Sequence, residues 1–207
     1  MLSAHTALAF FAASVLLALV PGPDNVFVLL HAAVHGARAG LLVVLGLCSG
    51  LLFHTAAVAL GLAALLAASS AALTALKTLG AAYLLWLAWL SWRAPAGLGK
   101  GESMAALGAR QTYLRGVLMN ISNPKVGLFF LAFLPQFVES GGGPVALQIL
   151  QLGGVFMLAT LLTFGAIALL AGRFGQLLQN SARAQVALNR LASVVFVGLA
   201  LRLVLGA

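Results

Sequence analysis

The sequence predicts an all-α membrane protein that crosses the bilayer several times. Of its 207 residues, 63% are hydrophobic and only 7% are charged, and the mean hydropathy is +1.12. Soluble domains carry about 25% charged residues, so this chain lacks the polar surface that water requires. No charged residue occurs in Ala39–Leu76 or in Ser140–Gly172. Each range exceeds the roughly 20 apolar residues that one membrane-spanning helix needs.

A pair of proline breaks is the third observation. The segment Pro21–Pro23 interrupts the first apolar run, and Asn123–Pro124 interrupts a later one. An ionisable residue follows each break, Asp24 in the first and Lys125 in the second. Pro/Gly interruptions at corresponding places in two halves point to a substrate site between inverted repeats. The breaks therefore favour a transport protein.

Apolar length divides the chain into six predicted spans. They are 3–22, 39–66, 72–92, 113–136, 144–171 and 185–205. The piece 24–37 is too short to cross alone, at about 20 Å for 1.5 Å per residue. It either continues the first helix beyond its break or lies in the interface. A chain with five full spans, in which the first segment does not cross, is the alternative.

Basic residues orient these spans, because Lys and Arg accumulate in cytoplasmic loops. We place the 93–112 connection in the cytoplasm and both termini outside. Eight of the eleven basic residues are then cytoplasmic: Arg38, Arg93, Lys100, Arg110, Arg115, Arg173, Arg183 and Arg190. The net charge of +8 thus records orientation and predicts no nucleic-acid partner. The N-terminal apolar run has no Lys or Arg before it, so we expect it to be retained rather than cleaved as a signal peptide.

The whole chain, 1–207, is predicted to be one transmembrane domain built from two repeats. Repeat one covers about 1–92, and repeat two covers about 113–207. Their third helices share a weak likeness, Leu76–Tyr83 in one and Leu188–Val195 in the other. Three helices per half is an odd number, so the two halves lie upside down relative to each other. The predicted fold is therefore an inverted repeat whose first and fourth helices are broken by proline.

The breaks also offer backbone groups to a ligand. Proline has no N–H and clashes with the preceding turn, so it frees backbone groups that lipid cannot satisfy. The start of a half-helix suits a carboxylate, and freed carbonyls suit an ammonium group. A zwitterionic amino acid matches both; a kink that only shapes packing is the alternative. The predicted substrate-binding residues are Pro21, Gly22, Pro23, Asp24, Asn25, Asn120, Asn123, Pro124 and Lys125.

Asp24 and Lys125 are the costliest residues to place in lipid. A charge near the bilayer centre costs about 2.5–3.5 kcal/mol. If Pro23 aligns with Pro124, the two charged residues occupy equivalent places in the two repeats. We expect them to face a common polar cavity, where they hold substrate groups or each other. In the alternative, both lie at the interface among lipid headgroups.

Histidines suggest a route for protons. On a helix over 24–37, Asp24, His31, His35 and Arg38 fall within an arc of about 60°. His titrates near neutral pH, so we consider His31 and His35 as relay residues together with Asp24. An amphipathic helix lying in the interface would show the same pattern.

His54 is the further relay candidate, because it lies in the middle of the second span. It follows Gly46 and Gly50 at spacings of four, a pattern that permits close helix approach. An intramembrane His is a functional candidate by default. The alternative is a His that bonds across a helix interface.

Several other classes of protein fit poorly. An intramembrane hydrolase needs a nucleophile with its base, or a metal motif such as His-Glu-x-x-His. The sequence shows neither, so we predict no enzyme, no catalytic residue, no metal site and no cofactor. A channel stays open as an alternative. An inorganic-cation exporter would be expected to carry more acidic or thiolate ligands than one Asp and the single cysteine, Cys48.

Four stretches resemble the LysE/RhtB family of amino-acid exporters: Pro21–Leu29, Gly80–Trp86, Asn123–Lys125 and Phe129–Phe137. Their order and spacing match that family over nearly the whole chain. The resemblance implies a multi-pass protein of the bacterial inner membrane that expels amino acids or related metabolites, driven by the proton gradient. Its partners would be the amino-acid substrate, protons and the lipid bilayer, with a homodimer left open. The shared motifs do not select the cargo.

Overall fold

The computed structural model of the protein describes residues 2–20, 22–68, 70–94, 107–139 and 141–205, and all regular elements in these ranges are helical. Pro21 and most of the predicted 93–112 connection lie outside the described residues. The helices are α1 (Ala4–Leu19), α2 (Pro23–His35), α3 (Ala37–Ala68), α4 (Ser70–Arg93), α5 (Ala109–Ile121), α6 (Pro124–Leu128), α7 (Val145–Asn180) and α8 (Ala182–Leu205). A π-helical turn, Phe129–Phe133, and a 3₁₀ turn, Leu134–Phe137, follow α6 directly.

Two helices are long and apolar enough to cross a membrane without a break: Ala37–Gly61 within α3 and Val145–Ala171 within α7. Two bent pairs qualify when each is taken as one span. They are α1 with α2, bent by 64°, and α5 with 124–137, bent by 48°. The described residues therefore hold two to four such spans, and both predicted proline breaks are bends.

Large apolar side chains cover the outside of the helices. Leu60 is 78% exposed, Leu79 68% and Leu205 74%, although each lies on a long apolar helix. Water would penalise such a surface, whereas lipid tails would not. The distribution is that of a helical membrane protein.

Phenylalanines fill the core between the first break and α7. Phe10 on α1 contacts Phe137 with ring centroids 4.9 Å apart, and Phe130 contacts Phe156 on α7 at 5.0 Å. Phe129 and Phe133, one turn apart, pack at 4.8 Å. These rings tie the segment after the second break to both α1 and α7.

Glycines allow α3 and α5 to cross closely. A Cβ at Gly46 would meet the Tyr113 carbonyl and lie 3.0 Å from the Gly116 Cα. The Tyr113 hydroxyl donates to Ser49 Oγ at 2.7 Å across the same crossing. The close approach expected from Gly46 and Gly50 is thus present, and its partner is α5.

The first half-helix is anchored at its start by the connection before α7. Glu139 accepts hydrogen bonds from the Ser3 hydroxyl at 2.6 Å and from the Thr6 hydroxyl. Gln148, which is 1% exposed, holds this connection through Glu139 N at 2.8 Å and Glu139 O at 3.1 Å. The end of α1 opposite the break therefore has a fixed position.

Candidate functional site at two helix breaks

The first break leaves carbonyls at the end of α1 without their helical partners. Leu17 O would accept from residue 21, which is a proline and has no N–H. Asn25, in the first turn of α2, donates its side-chain amide to Ala18 O. Gly22 precedes α2 in an extended conformation and supplies no side-chain cap. The N–H groups that open α2 therefore have no capping side chain.

The second break also opens a half-helix with proline, but here a side chain caps the start. Pro124 opens α6, and the Asn123 side chain accepts from Lys125 N at 3.0 Å. Pro124 also deprives Asn120 O of its helical donor, since it lies four residues further on. The His54 Nε2 ring atom lies 3.1 Å from Asn120 O. Asn120 O also accepts from Asn123 N at 3.0 Å, so His54 adds a contact from α3 to a carbonyl at the break.

Lys125 brings the two breaks together. Its Nζ donates to Val20 O at 3.1 Å and to Leu17 O at 3.3 Å, both at the end of α1. A Cβ at position 22 would lie 3.1 Å from this Nζ, so Gly22 gives the ammonium group room. A buried cation requires hydrogen bonds or opposite charge. Lys125 obtains them from the carbonyls that the first break leaves free.

Asp24 occupies the place in α2 that Lys125 occupies in α6, directly after the opening proline. Asp24 is 2% exposed and lines the same cavity as Lys125. The side-chain amides of Asn120 and Asn123 lie beside its carboxylate, but Asp24 Oδ1, Asn120 Oδ1 and Asn123 Nδ2 make no contact with full hydrogen-bond geometry. Buried polar atoms in native proteins are nearly always paired. Three such atoms therefore gather where the two breaks meet.

The cavity between the breaks is small. Its volume is about 10 Å³, close to the least that holds one water molecule. Its lining combines Asp24, Asn120 and Lys125 with apolar groups from α1 and with Phe156, Thr160 and Phe164 of α7. The three α7 residues were not among the predicted site residues. The signal that could have found them is the spacing of four, which puts them on one helix face around a threonine.

Not every predicted binding residue points into the cavity. Asp24, Asn120 and Lys125 line it, and Asn123 and Gly22 contact Lys125. The Asn25 side chain turns back to α1, while Pro23 and Pro124 open α2 and α6. The remaining one, Pro21, lies outside the described residues.

The histidines of α2 form a separate buried group. His31 is 1% exposed and packs between Phe27 and His35, with ring centroids 5.3 Å and 4.7 Å away. His31 Nδ1 and His35 Nε2 are buried without a hydrogen-bond partner. The prediction that Arg38 shares a helix face with Asp24 and the two histidines was wrong, because α2 ends at His35 and Arg38 belongs to α3. Gly36, at φ 87°, breaks the helix between them.

His54 is buried at the crossing of α3 and α5, 8% exposed. Its contact with Asn120 O is a bond across a helix interface, the alternative that the sequence left beside the relay role. Asn120 is also a cavity residue, so His54 touches the site through its backbone. Among the described residues, no group of three or more His, Cys, Asp or Glu side chains could hold a metal ion.

Comparison with known proteins identifies relatives over most of the chain. YrhP, an uncharacterised membrane protein of Bacillus subtilis strain 168, is 28% identical over 207 residues, covering 96% of this chain and 98% of its own. An uncharacterised membrane protein of Pseudomonas aeruginosa is 30% identical over 190 residues, covering 89% and 88%. Another, from Vibrio cholerae, is 30% identical over 135 residues, covering 65% and 66%. No solved structure matches the chain.

A family model shows to which protein family the chain belongs. The model for the LysE type translocator matches residues 15–207, which include both breaks and all helices from α2 onward. The relatives are membrane proteins, in agreement with the apolar helices and the apolar outer surface described above. The chain therefore belongs to the LysE type translocators, a family of membrane transport proteins rather than of enzymes.

Proposed function

We propose that this protein is a secondary exporter that moves amino acids or close derivatives out of the cytoplasm, across the bacterial inner membrane, in exchange for protons. One observation carries the proposal. The unpaired buried atoms Asp24 Oδ1, Asn120 Oδ1 and Asn123 Nδ2 all lie where Lys125 joins the two breaks.

These atoms can form hydrogen bonds with both the ammonium and the carboxylate group of a zwitterionic amino acid. Asp24 Oδ1 and Asn120 Oδ1 are acceptors, which suit the three N–H donors of an ammonium group. Asn123 Nδ2 is a donor whose orientation is fixed, because Oδ1 of the same amide accepts from Lys125 N. Together with the Lys125 charge, it suits a carboxylate. The uncapped start of α2 adds partial positive charge on the same side.

Transport through this cavity requires a conformational change. A volume of about 10 Å³ excludes an amino acid, so the cargo enters only after the broken helices separate. Lys125 is the contact that such a movement would break, since it spans from α6 to the end of α1. A closed cavity of this kind favours a carrier over a channel, which would need a continuous pore.

The inverted repeat is part of the proposal. In the two repeats, α1 corresponds to α5, α3 to α7 and α4 to α8. Corresponding pairs make corresponding contacts: α1 packs on α7 as α5 packs on α3, while α3 packs on its counterpart α7 and α4 packs on its counterpart α8. Both α2 and α6 open with a proline followed by an ionisable residue. α4 and α8 have 24 residues each, about 36 Å at 1.5 Å per residue, enough to complete six spans.

Proton exchange would use the buried titratable groups near the cavity. Asp24 lies in the cavity, and His54 contacts Asn120 from the α3 side. His31 and His35 continue along α2 from Asp24, each with an unpaired ring nitrogen. Such nitrogens can accept or release a proton without breaking an existing bond. We assign the relay to these four residues.

Efflux from loaded proteoliposomes tests the function. Wild type is expected to release preloaded amino acids faster when a proton gradient is imposed, and Asp24→Asn is expected to lose this release. Glu139→Gln is the matched control, because it makes the same carboxylate-to-amide change outside the cavity. Glu139 anchors the start of α1, so the assay uses the folded fraction of this variant, which should still release amino acids. Release of no amino acid by the wild type, or normal release by Asp24→Asn, would contradict the proposal. Counterflow of labelled cargo separates a carrier from a channel.

A further inference from the structure

One wall of the cavity is apolar and aromatic. Phe156 and Phe164 of α7 are 4% and 5% exposed and lie two turns apart on one face, with Thr160 between them. Leu17 and Val126 adjoin them from the two broken helices. Asp24, Asn120 and Lys125 line the rest of the same cavity.

Only two charged side chains, Asp24 and Lys125, are among the described residues that line the cavity. In the proposed function, both are used by the ammonium and carboxylate groups that every α-amino acid carries. A third charge on the cargo would then find no partner. An unpaired charge at such depth is disfavoured by about a hundredfold.

We propose that the cargo is an α-amino acid whose side chain is uncharged and apolar, and that Phe156 and Phe164 contact this side chain. The inference rests on the proposed function and narrows its substrate class. Phe156 and Phe164 set the size of the side chain, because they form the wall that α7 contributes. Thr160 contributes a hydroxyl at the centre of that wall.

The test uses purified wild-type protein in proteoliposomes with labelled leucine, methionine, lysine, arginine and glutamate. We expect leucine or methionine to move about a hundred times faster than any of the charged amino acids. Lysine, arginine or glutamate moving as fast as leucine would overturn the inference while leaving the exporter intact. If the wild type transports neither these five amino acids nor any other, the result contradicts the proposed function itself.

Variants of the wall locate the contact. Phe164→Ala is expected to shift the leucine-to-tryptophan rate ratio about tenfold towards tryptophan, since it enlarges the apolar pocket. Leu162→Ala is the control, because Leu162 lies on the same helix but is 56% exposed on the outer surface. Phe156→Leu provides a milder second change if Phe164→Ala fails to fold. An unchanged ratio in a folded Phe164→Ala protein, or in a folded Phe156→Leu protein, would overturn the assignment of this wall.

Discussion

Lys125 has a structural role in the fold, and the proposed function gives the same side chain a binding role. Its ammonium group donates to Leu17 O and Val20 O, so a buried cation is held by carbonyl dipoles. Leu17 O is free because Pro21 has no N–H to donate to it, and Val20 O is free because α1 ends at Leu19. The same charge borders the cavity that holds Asp24. The two roles respond differently to substitution.

Lys125→Gln and Lys125→Met separate these roles. Gln keeps an N–H donor for the α1 carbonyls but removes the charge, so we expect near-normal folding and at least tenfold slower transport. Met removes both, which leaves buried carbonyls unpaired at a cost of about 1–3 kcal/mol. Efflux assays and thermal unfolding in detergent measure the two effects. Transport by Lys125→Gln at the wild-type rate would show that the charge has no role in binding.

At the scale of elements, the crossing of α3 and α5 depends on missing side chains. Gly46→Ala would drive a methyl group against the Tyr113 carbonyl and within 3.0 Å of the Val117 amide. Backbone atoms cannot rotate away, so we expect a loss of about 1–3 kcal/mol in stability. Gly61→Ala is the control, because a Cβ at this position of α3 meets nothing within 4 Å. A lower unfolding temperature for Gly46→Ala alone is the expected result; equal temperatures for both variants would argue against the crossing.

The anchoring of α1 predicts a pH dependence. Hydrogen bonds from the Ser3 and Thr6 hydroxyls hold the pKa of the Glu139 carboxyl below its ordinary value. A lowered folded-state pKa means that the ionised form stabilises the fold. This contribution is complete above the ordinary pKa of Glu and disappears as the pH falls through the lowered value.

Thermal unfolding in detergent, measured from neutral pH to below the folded-state pKa of Glu139, gives the stability that the ionised carboxylate contributes. Wild type is expected to unfold at a higher temperature than Glu139→Gln near neutral pH, and the gap should close as the medium becomes more acidic than the folded-state pKa. The change is reversible protonation at one site, so returning to neutral pH restores the gap. A gap that stays constant with pH would mean that the Glu139 charge does not anchor α1.

At the scale of the whole molecule, the sequence predicts the breaks better than their contacts. Proline chemistry and charge cost locate both breaks and single out Asp24 and Lys125, because those effects act on the local chain. The pairing of Lys125 with the end of α1 joins residues 108 and 105 apart in sequence, so no local pattern reveals it. The aromatic wall of α7 was missed for another reason: its spacing of four is a local signal, but buried Phe also occurs throughout the core and does not single this wall out.

Helix boundaries show where local signals suffice. The short piece predicted at 24–37 appears as Pro23–His35, because Pro opens a helix at its first position and Gly36 ends it with positive φ. The second break divides the predicted segment 113–136 into α5 and the helical turns from Pro124 to Phe137. The π-helical turn Phe129–Phe133 was not predicted, and the rings at its two ends pack with centroids 4.8 Å apart.

If the two breaks build one binding site, a bound ligand must depend on residues from both, and ligand binding to the purified protein measures this dependence. The ligand is the amino acid that the wild type transports fastest, and calorimetry in detergent gives its Kd. We predict that Asp24→Asn and Lys125→Gln each weaken binding at least tenfold, about 1.4 kcal/mol. Because both residues act on one bound molecule, the double variant should lose less than the sum of the two single losses. Wild-type affinity in either folded single variant would show that the two breaks do not form one binding site.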